Sequence, residues 1–130
     1  QHQAIYDRHP GIRSILVAHP PHIMAFAVTD AAFDSRTIPE SYILLRSVPK
    51  LPFGSSFLQP GMTAEMISPA SPMLICENDC VIVTGGSLLQ AFDRLEVAEY
   101  SAHSIISSTE LGSIRRISDE EVAEIDRAFF

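Results

Sequence analysis

Two histidines bracket a pair of prolines in Val17-Ala18-His19-Pro20-Pro21-His22, and an acidic turn, Glu77-Asn78-Asp79, separates two apolar runs. Imidazole and carboxylate are side chains that bind divalent metals, and imidazole moves protons near neutral pH. His19 stands at the mouth of the run Ile15-Leu16-Val17, and His22 lies three residues on. At a strand end such imidazoles can converge on a metal if another strand adds donors. The alternative is that His19 hydrogen-bonds backbone at the strand exit. Asp79 carries the same choice, between a ligand and an Asx-type turn closing on its own backbone. Tyr42 is the third candidate. Its phenol can donate a proton if it faces a site; otherwise it is an amphipathic core residue.

Other reactive residues carry less. Cys76 and Cys80 lie four apart without companion ligands, which fits reduced core thiols better than a zinc site. Gly85-Gly86-Ser87 resembles a phosphate loop before a helix, but a strand exit followed by an N-cap accounts for the same residues. His2, His9 and His103 have no partners at ligand spacing, and Glu96 and Glu99 read as a solvated or subunit-facing edge of a long helix.

The elements that must position these residues follow from periodicity and breakers. Residues 1–9 read as a helix end stopped by Pro10-Gly11, Ile12 to Ala18 as a buried strand, and Pro21 to Val28 as a helix with proline in its first turn. Thr29 to Pro39 is a loop, and Glu40 to Leu45 fits either a short helix or a strand. Val48 to Phe53 is extended, with Pro49 and Pro52 confining it to an edge. Gly54 to Gly61 reads as a loop, and Thr63 as the cap of a helix to Ile67. Met73-Leu74-Ile75-Cys76 and Cys80-Val81-Ile82-Val83 form a hairpin. Ser87 caps a helix to about Ser107, with Leu88, Ala91, Phe92, Leu95, Ala98, Ala102 and Ile105 as its apolar stripe. Ser118 and Glu121 make a capping box for a last helix facing inward through Val122, Ile125 and Phe129.

Composition narrows the classes. The 130 residues suit one domain, and 46% hydrophobic residues can fill a core. The formal net charge is −7, and the only adjacent basic pair is Arg115-Arg116, which argues against a nucleic-acid partner. No apolar run approaches the roughly 18 residues of a membrane span, and no signal peptide is visible, so a cytoplasmic location and no membrane partner are expected.

Taken in order, these segments resemble the class II aldolase/adducin family. In that family a strand ends in His-x-His. A later strand leads into Asn/His-His-Gly, an apolar strand, a glycine turn and a long helix, and the last helix often begins Ser-Asp-Glu-Glu. Here the corresponding residues are Val17-Ala18-His19, Asn78-Asp79-Cys80, Val81-Ile82-Val83, Gly85-Gly86 and Ser118-Asp119-Glu120-Glu121. The resemblance runs from Gln1 to Phe129. It implies an α/β fold: a three-layer α/β/α sandwich around a mixed, largely antiparallel sheet. Residues 1–130 would form a single domain, the second half of the family domain. A first half would hold the phosphate-binding segments and the catalytic glutamate.

By the same resemblance His19 and Asp79 fall on metal-ligand positions and Tyr42 on the catalytic proton donor to the aldehyde oxygen; His22, one helical turn after His19, is a further candidate metal ligand. Val17 replaces the first histidine of His-x-His, and Asp79 replaces the third histidine. The implied cofactor is a divalent metal, zinc in the family, magnesium or manganese in a carboxylate-richer site, or none if the site is dismantled. The implied activity is metal-assisted retro-aldol cleavage of a small phosphorylated sugar or related hydroxy-carbonyl compound, by a homo-oligomer, a tetramer in the family. The alternatives are a non-catalytic adducin-like assembly module, or an epimerase, dehydratase or decarboxylase.

Overall fold

Strands with no polar side must be covered on both faces, and two such strands sit at the centre of this chain. The computed structural model describes residues 2–130. In chain order the elements are α1 (His2–Arg8), β1 (Ser14–Ala18), α2 (Pro21–Ala27), α3 (Pro39–Leu45), β2 (Lys50–Leu51), α4 (Ser55–Leu58), α5 (Pro60–Glu65), β3 (Met73–Cys76), β4 (Cys80–Gly85), α6 (Leu88–Ser108) and α7 (Asp119–Phe129). Every residue of β3 and β4 is buried. The described sheet has the order β1-β4-β3-β2. The β1/β4 and β3/β4 pairs are antiparallel, and β2 runs parallel to β3.

Side chains alternate across a strand, so β3 and β4 feed two separate cores. Met73, Ile75, Val81 and Val83 face α2, α3 and α6, packing with Ile23, Phe26, Leu45, Val97, Ala98 and Ala102. Leu74, Cys76, Cys80 and Ile82 face α1 and α5, packing with Ile5, Ala64 and Ile67. This is the expected α/β/α layering with a mixed, largely antiparallel sheet. Cys76 pairs with Cys80 across the hairpin, and both thiols are free and buried, as read from the sequence. No helix among the described residues is long and apolar enough to cross a membrane.

The ambiguous segment 40–45 is helical, as α3. Segment 54–61, read as a loop, instead holds α4 and the start of α5, which Pro60 opens at its first position. Thr63 lies inside α5 rather than capping it; its hydroxyl donates to the Ser55 carbonyl at 2.6 Å. The stripe of α6 is rotated from the expected one. Ala91, Val97, Ala98, Ser101 and Ala102 are buried, while Leu88 and Phe92 are 64% and 50% exposed. The capping box of α7 forms, but α7 buries no residue fully and Phe129 is exposed.

Helix α2 begins at Pro20-Pro21, where no side chain caps it. Its first N–H groups need an acceptor from elsewhere, and Glu99 of α6 provides one. Glu99 Oε1 accepts from Ile23 N–H at 2.9 Å and from His22 N–H at 3.1 Å. Glu99 Oε2 accepts from the His22 ring at 2.8 Å. Glu99, expected on a solvated or subunit-facing edge, instead ties two helices together. Burial raises the Glu99 carboxyl, but the Ile23 and His22 N–H groups and the His22 ring outweigh it and hold it below its ordinary value.

Two outcomes follow from this packing. A carboxyl depressed on folding adds stability above its unfolded value, near 4.5, and loses it as pH falls through the folded one. Glu99→Gln should remove that component, flattening the fall of Tm between about pH 5 and 3 in scanning calorimetry. Gly85 sits where β4 meets α6, and a Cβ there would lie 2.6 Å from Ala91 N and 2.9 Å from Ser87 O. Gly85→Ala should cost about 2 kcal/mol or more by overpacking, read in urea unfolding as a lower midpoint with an unchanged slope.

Candidate functional site

The candidate residues come from the end of the sheet where β1 leaves and β4 enters. Ala18 pairs with Val81 in antiparallel register, so His19 continues past the strand beside Cys80, the neighbour of Asp79. The two chemistry-bearing residues therefore emerge from adjacent strands at one edge.

The Asp79 turn is held from both sides. Asn78 takes a left-handed conformation, φ 55°, which asparagine tolerates better than most residues. Its N–H donates to the Ala27 carbonyl at the end of α2 at 2.8 Å, and the Glu77 N–H donates to the Leu51 carbonyl of β2 at 2.9 Å. Asp79 N–H donates to the Cys76 carbonyl at 3.1 Å, closing the turn. The Asp79 carboxylate accepts from the buried Ser56 hydroxyl at 2.6 Å. Both sequence-level uses of Asp79 thus remain compatible with its position: it belongs to a turn, and its side chain is oriented by a second group. Ser56 was missed from the sequence because Gly54-Ser55-Ser56 reads as loop. Gly54 at φ 92°, followed by a turn of helix, points the Ser56 hydroxyl at Asp79.

The thiols beneath the turn belong to the same cluster. Cys80 is pushed well above its ordinary range by its hydrogen bond to Cys76, by burial and by Asp79. The hydrogen bond from Cys80 lowers Cys76, against burial and the Asp79 charge.

The remaining candidates are engaged elsewhere. The His22 ring is bound to Glu99 and stacks on His103, centroids 4.0 Å apart at 14°. His103 is thus a partner of His22 rather than an isolated surface residue. The Tyr42 hydroxyl donates to Asp126 of α7 at 2.8 Å, and Arg46 lies 3.6 Å from the same carboxylate. Val17 lies opposite Ile82, is 37% exposed and offers no donor. His19 is exposed.

A metal finds an unfinished donor set here. Among the described residues no group of three or more His, Cys, Asp or Glu side chains is placed to hold one. Structural and catalytic zinc sites require three or four protein ligands. His19 and Asp79 supply two, while His22 is turned to Glu99. These residues alone do not fit the group.

The comparisons with known proteins match this architecture. The family described as Class II Aldolase and Adducin N-terminal domain matches residues 1–106. Among solved structures, YgbL from Klebsiella pneumoniae is similar at 24% identity and TM-score 0.75, covering 95% of this chain and 62% of that one. The L-fuculose 1-phosphate aldolase from Glaciozyma antarctica PI12 is similar at 17% identity and TM-score 0.78, covering 98% of this chain and 48% of that one. A sugar-phosphate aldolase from Thermotoga maritima is similar at 20% identity and TM-score 0.70, covering 86% and 53%. The chain thus spans less than two thirds of the length of each of these structures. No curated protein sequence matches the chain. The similarity to solved structures concerns the fold, and the family match covers most of the chain: the protein belongs to the class II aldolase and adducin family.

Proposed function

We propose that this domain serves a lyase of the class II aldolase type, cleaving a carbon–carbon bond in a small phosphorylated sugar or related hydroxy-carbonyl compound. The observation that carries the reading is the register that brings His19 and Asp79 out of neighbouring strands at one sheet edge, with Asp79 oriented by Ser56. Two structural neighbours, a fuculose-phosphate and a sugar-phosphate aldolase, support the substrate class.

Retro-aldol cleavage removes the proton of the hydroxyl on the carbon β to the carbonyl. The carbon–carbon bond breaks, a new carbonyl forms, and the electron pair left on the other fragment takes up a proton. An imidazole can serve these transfers near neutral pH, and His19 is the exposed imidazole at this edge. Asp79, oriented by the Ser56 hydroxyl, keeps a carboxylate at the same end of the sheet. His22 shapes the adjoining α2 terminus. Assembly into a homo-oligomer is part of the reading, supported by the exposed apolar side chains Phe53, Phe57, Leu58 and Met62.

A second reading is a non-catalytic adducin-like assembly module. It is favoured by Val17 at the first ligand position, and by the commitment of the Tyr42 hydroxyl to Asp126 and of the His22 ring to Glu99. The related epimerase and decarboxylase reactions keep the same site and change only what is done after deprotonation.

His19→Ala separates these. In the lyase reading, kcat/KM for cleavage of phosphorylated ketoses falls by about 100-fold or more, while Tm stays within a few degrees because the side chain is exposed. Tyr42→Phe then lowers unfolding stability by about 1 kcal/mol through loss of the Asp126 bond, and a fall in kcat measured well below the Tm of the variant marks the phenol as a proton donor. A wild-type protein that cleaves none of a ketose-phosphate panel, yet self-associates in light scattering, supports the module instead. Elemental analysis of the wild type beside His19→Ala tests the ligand role of His19: stoichiometric metal lost on substitution supports it.

A further inference from the structure

At the opposite end of the sheet lies a cavity of about 410 Å³ between the α1–β1 loop, the Ile67–Pro72 segment and the start of α6. Ser14 pairs with Gly85 at this end, four residues along the ladder from Ala18 and Val81. At about 3.3 Å per residue the cavity is more than 10 Å from the His19 edge, so it is separate from the site above.

Its distinctive side chain is Arg94 of α6. The guanidinium Nη1 donates to the Thr84 carbonyl at 2.7 Å, while its Nε is buried with no partner. No carboxylate lies within ion-pair range among the described residues, where the other ion pairs join Arg8, Arg36, Arg46, Arg116 and His22 to acids. Burial alone lowers its ordinary value, with no acidic neighbour compensating. A partly buried cation without a counter-charge is costly, and proteins resolve such groups by pairing them. Arg8 lines the same cavity and adds a second positive charge, shared with Glu65 at 3.7 Å.

The start of α6 does not supply the site. Ser87 Oγ accepts from the Gln90 N–H at 3.1 Å, and Gln90 Oε1 accepts from the Gly86 N–H at 2.6 Å. The Gly85-Gly86-Ser87 segment is therefore a self-closed cap, and the positive charge comes from the arginines. Ile12, Ile67, Pro69 and Pro72 add apolar wall beside the polar His9, Ser68 and Gln90, and the volume suits a small metabolite.

We propose that this cavity binds a small organic anion, a carboxylate or phosphate head on a short apolar body, with Arg94 as its principal partner. Guanidinium matches the planar geometry of a carboxylate and pairs equally with phosphate oxygens. The binding is independent of His19 and of the lyase reading.

The test is a backbone-amide NMR titration of the 130-residue chain with sodium butyrate and, separately, inorganic phosphate, at constant ionic strength set with chloride. Expected are saturable shifts at Gly11, Gly85 and Gly86 and at the Arg94 Nε resonance, unchanged in His19→Ala. In Arg94→Gln the affinity should weaken at least tenfold. Saturation by butyrate with phosphate weaker assigns a carboxylate head, and the reverse a phosphate head. If Arg94→Gln fails to fold, the wild-type map decides. Shifts that are absent, unsaturated, centred on residues 76–80, or equal in Arg94→Gln overturn the proposal.

Discussion

The structure depends on the two-sided burial of the β3–β4 hairpin. Eight apolar side chains alternate between two cores, four on each face. A single layer of helices could not close both cores, so α2, α3 and α6 cover one face while α1 and α5 cover the other. At roughly 1.5–3 kcal/mol for each large side chain buried, the hairpin contributes a sizeable fraction of the apolar driving force. Its turn cannot shift without disturbing both layers. That rigidity is what holds Asp79 in place.

Helix α2 is the second dependent piece. A Pro-Pro start gives it a fixed φ and a clean entry from β1, but leaves it without a side-chain cap of its own. Glu99 closes that end from 77 residues away. The same carboxylate takes the His22 ring, which is then stacked on His103. The histidine-rich turn is therefore divided between two tasks. His22 belongs to the scaffold, and His19 remains at the sheet edge. Among the described residues no third donor joins His19 and Asp79, so the departures at Val17 and Asp79 have a structural counterpart as well as a sequence one.

The two ends of the sheet differ in charge. One carries the Asp79 carboxylate and an exposed imidazole, and the other a cavity with Arg8 and Arg94. An acidic chain that keeps a partly buried arginine unneutralised at one end is spending stability there.

Much of the fold was legible because local rules agree with tertiary ones along most of the chain. Continuous apolar runs specified β3 and β4, Pro10-Gly11 and Pro20-Pro21 set element boundaries, and Ser87 and the Ser118–Glu121 box capped their helices as expected. The ordered residues from Val17-Ala18-His19 to the last helix pointed to the family. Short elements were lost: α4 and α5 are four and six residues long, too short for periodicity to register, and with them went Ser56. The α6 stripe was misplaced at Leu88 and Phe92 because only packing against β4 and α2 decides which face of a helix turns inward. Sequence alone thus determined the strands, the caps and the residue types able to do chemistry. Tertiary structure alone decided their partners, sending Glu99 to α2, Tyr42 to Asp126 and Ser56 to Asp79. Those contacts join residues 23 to 84 positions apart, and local sequence carries no signal for which distant surfaces the two cores will press together.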